Sequence, residues 1–265
     1  MKIYEIIDGD SESRVGALLY YENAKAFIIE LEKNLDEWSA PLLFTSFIKK
    51  NIYTIPKDVS LLWVKERIIP SGRQNLGDIL KNHKLKEYDE IRFLELSLGR
   101  CSQDSLYIKK VDELPAYVKE RQQRLVTEVV ALGSDRLLVF FGDNTTRVTS
   151  LAELKNNDDI DKVLRNKKLF NSVKVGVGGY SITFNNSIDI QATDLYSTGS
   201  GMPLKADDFI SFVSRNICDT TKACEILECS RQNIAYLIKR KDLEPISEDV
   251  KGNLYTKGDI EKNKW

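Results

Sequence analysis

The sequence predicts an α+β multidomain protein: a mostly helical N-terminal domain over 1–123, a small antiparallel α+β domain over 124–206, and a C-terminal winged helix-turn-helix over 207–265. Three observations carry this. Apolar residues in the first part recur at helical spacing, with Ala24, Phe27, Ile28, Leu31 and Leu35 as the clearest set. Short apolar runs in the middle part are separated by Gly-, Asp- and Asn-rich turns. The last part holds two short amphipathic segments, each behind a capping residue, followed by a hairpin-like stretch. A length of 265 residues suits two or three such domains.

Composition narrows the function. Hydrophobic residues at 42% and charged residues at 30% describe a soluble globular protein, and a net charge of -1 gives no global attraction to nucleic acid or anionic membrane. Any such binding must come from a local patch. The Met1 end has no basic-then-apolar leader and no apolar run reaches membrane-span length, so a cytoplasmic protein with no membrane partner is expected. The cysteines Cys101, Cys218, Cys224 and Cys229 lack the paired spacing of a zinc site, and the single histidine, His83, excludes a His-rich metal site or a histidine triad within one chain. No metal, cofactor or catalytic residue is expected. Cys224 and Cys229 read as small core residues in a reducing compartment.

In chain order, Lys2 to Ile7 reads as a strand, followed by the helix carrying Phe27 and Leu31, and by a second helix through Leu42, Leu43, Phe47 and Ile48 behind Pro41. Trp63 to Lys86 carries six basic and two acidic residues. Its core, Arg73-Gln74-Asn75 through Lys81 to Leu85, matches Arg231-Gln232-Asn233 through Lys239 to Leu243 in its opening, a lysine and the final leucine. With the helix Leu61 to Ile68 before it, this reads as a second helix-turn-helix-like segment, making Arg73, Gln74, Asn75 and Lys81 candidates for a second DNA contact. His83 reads as a surface or capping residue. Arg100, Cys101 and Asp104 lie in a polar turn, where a cysteine nucleophile would need a base that the sequence does not supply. Val118 to Gln123 reads as a linker.

The middle domain opens with strands at Thr127–Leu132, Leu137–Phe141 and Thr145–Val148, an expected antiparallel meander. Helical pieces follow at Ile160–Leu164 and Lys168–Phe170, then strands Val173–Val177 and Tyr180–Phe184 joined by Gly178-Gly179, read as a hairpin rather than a phosphate loop because no helix follows. Leu137 to Phe141 with Gly142-Asp143, Arg147-Val148, Leu169-Phe170 before Val173-Lys174-Val175, and Asp189-Ile190 leading to Asp194-Leu195-Tyr196 resemble a bacterial family catalogued as domain of unknown function 2442, over roughly seventy residues. The resemblance implies a compact α+β unit in a regulatory context and no activity.

The C-terminal stretch is the most informative. Asp219 and Thr220 cap a helix through Ala223, Ile226 and Leu227; Glu228 and Cys229 turn; Ser230 caps a second helix whose Ile234, Leu237 and Ile238 form one apolar face. Opposite lie Arg231, Gln232, Asn233, Tyr236, Lys239 and Arg240. Their order, with the turn Lys251-Gly252-Asn253, then Leu254-Tyr255-Thr256 leading to Asp259 and Ile260, resembles the DNA-binding half of the MerR and excisionase superfamily. That resemblance implies double-stranded DNA as partner. Arg231, Gln232 and Asn233 would read bases, Tyr236, Lys239, Arg240 and Lys241 would contact phosphates, and Lys251 and Asn253 would sit in the wing tip. It also implies a homodimer or a second reader in the chain, since one such helix buries too little surface to be selective. Nine basic and nine acidic residues between Asp219 and Trp265 leave a second class open, a protein-interaction module such as an antitoxin or adaptor, whose middle domain binds a partner and whose helix-turn-helix is a protein contact surface.

Overall fold

Val15 to Tyr20 is buried without a break, and a strand buried at every residue must be covered on both faces. That strand lies at the centre of the first sheet. The computed structural model describes residues 1–133, 135–154, 158–248, 252–256 and 260. The strands β1 (Lys2–Asp8), β2 (Arg14–Tyr21) and β3 (Ala26–Leu31) form a meander, with Lys2 opposite Tyr20 and Leu18 opposite Ile29. Next come α1 (Thr45–Ile48), β4 (Thr54–Ile55), α2 (Lys57–Lys65), α3 (Leu76–Asn82), α4 (Glu90–Ser97), β5 (Leu106–Val111) and α5 (Ala116–Gln122). The sheet order is β4-β3-β2-β1-β5.

The expected helical N-terminal domain is therefore wrong: this region is built on a five-stranded antiparallel sheet with helices packed on it. Phe27, Ile28 and Leu31 match a helical template and are in fact residues of the one strand β3. The physical reason is two-sided burial. Tyr4, Ile6, Leu18, Tyr20, Phe27 and Ile29 join one core with Trp63 and Val64 of α2 and Leu94 of α4. Ile3, Ala17, Leu19 and Ile28 join another with Val118 of α5 and Tyr180. A strand buried on both sides loses its alternation and reads as an apolar run, which periodicity cannot distinguish from a helix. The segment read as a linker is α5, docked through fully buried Val118.

One polar residue faces the second core. Glu30 on β3 is fully buried, and Arg121 of α5 reaches it at 2.7 Å while Thr54 donates to it at 2.9 Å. Burial pushes the Glu30 carboxyl up, and the bonds from Arg121, Thr54 and Tyr180 pull it only part of the way back. Arg121 also donates to the Tyr53 carbonyl and lies over the Tyr53 and Tyr117 rings.

The strands β6 (Val126–Leu132), β7 (Arg136–Phe141) and β8 (Thr146–Ser150) are neighbours in one sheet, as the meander required. After α6 (Asp158–Arg165) and α7 (Lys167–Phe170), β9 (Val173–Val175), β10 (Ser181–Phe184) and β11 (Ile188–Gln191) form an antiparallel sheet, and α8 (Ala192–Thr198) follows. The β9–β10 connection needs its glycines: Gly179 has φ +79° and a Cβ there would stand 2.4 Å from the Val126 carbonyl oxygen. Val129, Val139, Phe141, Val163, Phe170, Ile182 and Phe184 make the core. Lys57 at the start of α2 pairs with Asp189 of β11 at 2.5 Å, and these elements belong to one compact unit, Met1–Asp143 with Arg147–Ser200.

The second unit is Asn144–Thr146 with Gly201–Trp265. A short β12 (Ser200–Met202) precedes α9 (Ala206–Asn216), and the Asn144 side chain bonds both the backbone N–H and the carboxylate of Asp207 in its first turn. Next come β13 (Ile217–Asp219), α10 (Thr220–Leu227), α11 (Arg231–Lys239) and β14 (Leu254–Thr256). No helix of the described residues is long and apolar enough to cross a membrane.

Arg121→Met leaves Glu30 as an unpaired buried carboxylate and is expected to cost about 3–5 kcal/mol at neutral pH. Because the native Glu30 pKa then stands further above its unfolded value, the native state binds the extra proton, and the variant regains stability as pH falls through that raised pKa towards the ordinary carboxylate range. Urea unfolding of both proteins at pH 5 and 7.5 measures this; an equal deficit at both pH values contradicts it.

Candidate nucleic-acid interface

The second unit holds its two central helices by complementary ends. Asp219 closes β13 and caps α10, its carboxylate accepting from the Lys222 N–H at 2.8 Å. Glu228 adopts the left-handed conformation at φ +51°, which ends α10; the Glu228 N–H then bonds the Glu225 carbonyl and the Cys229 N–H the Cys224 carbonyl. This double closure is a Schellman turn. Ser230 caps α11 by accepting from the Asn233 N–H at 3.3 Å. Both cap residues are those the sequence marks.

Between the helices lies a small core of Ala223, Ile234, Leu243, Tyr255, Cys218 and Ile260, with Leu227, Leu237 and Ile238 packed against it. Tyr255 enters it from β14, which pairs antiparallel with β13, Cys218 opposite Tyr255. The chain after α11 turns at Lys241 (φ +62°) and buries Leu243. It then returns antiparallel, the Ile246 N–H bonding the Leu254 carbonyl at 2.7 Å and the Leu254 N–H bonding the Ser247 carbonyl at 3.1 Å. The result is a helix-turn-helix followed by a hairpin. Lys251 and Asp259 lie outside the described residues; Gly252 has φ +106° and Asn253 is partly exposed.

With 3.6 residues per turn, the outer face of α11 is ordered. Gln232, Tyr236 and Lys239 run along its middle, Asn233 and Arg240 along one flank, and Arg231 along the other. All six are exposed, Tyr236 at 54%, and Lys241 beyond them is exposed as well. Arg231 is tethered sideways to α10, donating to the Thr221 hydroxyl at 3.0 Å. Arg240 lies over the Tyr236 ring and pairs with Asp242 at 2.9 Å. The acidic stretch therefore meets α11 at its C-terminal end, beside Arg240, while Gln232 and Asn233 stand at the other end of the helix. Sequence reasoning missed β13 and the Arg231 tether. The β13 strand had a signal in the apolar-polar alternation Ile217-Cys218-Asp219, whereas the tether had none.

The matching Arg73-Gln74-Asn75 is built differently. It forms the turn before α3, where the Arg73 N–H bonds the Pro70 carbonyl and the Arg73 guanidinium bonds the Asn75 side chain at 2.9 Å. The helix α3 begins only at Leu76 and buries none of its residues, with Lys81 exposed on it and His83 exposed at its C-terminal cap. The polar turn at Arg100 to Asp104 is also taken up by other contacts: Arg67, nearly buried over the Trp63 ring, pairs with Asp104, Cys101 donates to Asp104, and Arg100 lies over Tyr107.

No protein-family model, curated protein or solved structure matches the chain. What defines the site is its own geometry, a capped helix-turn-helix with a polar outer helix face.

Ser230→Ala removes the α11 cap and is expected to destabilise the chain by about 1 kcal/mol. Exchange of the Asn233 amide should report it locally, becoming faster while the amides of β2 keep their protection.

Proposed function

We propose that the chain is a sequence-specific double-stranded DNA-binding protein, a cytoplasmic regulator that places α11 in the major groove. The observation that carries this is the outer face of α11, where Gln232, Tyr236 and Lys239 form an exposed stripe flanked by Asn233, Arg240 and Arg231. Gln and Asn present a donor and an acceptor together, the pairing that adenine offers in the groove, and Arg offers the fork that matches guanine. Lys239 and Lys241 suit phosphates, which position the helix without reading sequence. The resemblance of this stretch to the MerR and excisionase superfamily, and the regulatory context implied by the resemblance of the middle region, support a regulatory binding role. A small module of this kind gains selectivity from a second copy on a palindromic site.

The test is selection of bound duplexes from a random pool with the full-length chain across several salt concentrations. An enriched, salt-sensitive motif is expected. Against that motif, Arg231→Ala and Gln232→Ala should each weaken binding by about 1–3 kcal/mol and relax one base position, whereas Lys241→Ala should weaken all sequences alike and lower the salt slope by about 1. If no motif is enriched at any salt concentration, the reading is abandoned. The Arg240–Asp242 pair and the exposed Glu244 and Glu248 favour the second reading, in which this module contacts a protein, and that reading takes over in such a case.

A further inference from the structure

We propose that Cys224 and Cys229 form a reversible dithiol–disulfide site, oxidised by hydrogen peroxide, at the turn of the helix-turn-helix, and that closing it weakens DNA binding by α11. The regulatory half rests on the DNA-binding reading above; the chemical half does not.

The backbone turn makes the pair. In a Schellman turn the residue whose carbonyl is capped and the residue whose N–H caps it come into side-chain contact, and here those residues are Cys224 and Cys229. The Cys229 N–H bonds the Cys224 carbonyl at 3.0 Å, which brings the two side chains to the same side of the turn. The sequence marks both as core residues, yet each is a free cysteine only half buried, and both open on one surface depression of about 440 Å³ that Thr221 and Arg231 also line. A small peroxide can enter there. Cys229 directly precedes the Ser230 cap of α11. Burial and the Cys229 sulfur push the Cys224 thiol up, and the Arg231 guanidinium opposes them. In this proposal Cys229, next to the start of α11, is the attacking group and Cys224 the resolving one.

The Cys229 thiolate attacks one peroxide oxygen, the O–O bond breaks, and the departing hydroxide takes a proton to leave as water. The resulting sulfenic acid is attacked by the Cys224 thiolate; the S–S bond forms, the S–O bond breaks, and a second water leaves. Two thiols lose two electrons in all, and one peroxide becomes two waters. The bond draws the sulfurs to about 2.05 Å. That pulls residue 229 towards α10 and moves Ser230 and the first turn of α11, which carries Arg231, Gln232 and Asn233.

The experiment treats the reduced full-length chain with hydrogen peroxide and digests it with trypsin after blocking free thiols. Cleavage after Lys222 and Arg231 puts both cysteines in one peptide, residues 223–231. That peptide should be two hydrogens lighter, resist alkylation, and return to the dithiol with dithiothreitol. Affinity for the selected duplex should fall about ten-fold on oxidation and recover on reduction, while Cys224→Ser and Cys229→Ser chains with unchanged thermal unfolding should bind DNA insensitively to peroxide. If the peptide stays fully alkylatable while Cys101 oxidises, the site is refuted. A disulfide that forms with no change in affinity refutes its regulatory half. Failure to select any motif would count against the DNA reading alone, because the peptide mass decides the dithiol without DNA.

Discussion

The first unit depends on covering one sheet from both sides. β2 and β3 bring apolar side chains to both faces, so neither face can be left to water: α1, α2 and α4 serve one, and α5 with Tyr180 serves the other. Glu30 is the exception that ties the second cover down. A carboxylate with no exposure costs several kcal/mol unless it is paired and bonded, and its partner Arg121 comes from α5. The same residue that would damage an incomplete fold thus links β3, β4 through Thr54, and α5 in the finished one.

The second unit works with far less apolar material. Among the described residues six buried side chains form its centre, and helix ends and strand pairing add to them. The caps at Asp219 and Ser230 satisfy backbone donors at the two helix starts, the left-handed Glu228 satisfies carbonyls between them, and Tyr255 pins the returning strand beneath both helices. Such local devices hold the α11 backbone in place without consuming its outer face. That outer face is left exposed and largely polar. The same economy leaves Cys224 and Cys229 at the edge of the core instead of within it.

Much of the C-terminal module was legible because its determinants are local. The caps, the turn and the apolar face of α11 each depend on residues within about one helical turn, a range over which side-chain chemistry fixes backbone conformation. The strands of the middle region were legible for a similar reason, since their turns are written in Gly, Asp and Asn. The N-terminal region was misread where burial is two-sided, and Val118 to Gln123 was misread because α5 is short and its docking residues, Tyr117, Val118 and Arg121, include a single fully buried apolar one.

The repeated Arg-Gln-Asn tripeptide states the division most clearly. By itself the sequence determined which residues carry hydrogen-bonding and basic groups, and that Ser230 would open a helix under one copy. It could not determine that the copy at Arg73 would be a turn before a helix with no buried face. Tertiary structure decided that, along with the strand identity of β3 and the Arg231 tether. Each depends on what lies across from a residue in space, and side-chain patterns along the chain record only which face is apolar, not what will cover it.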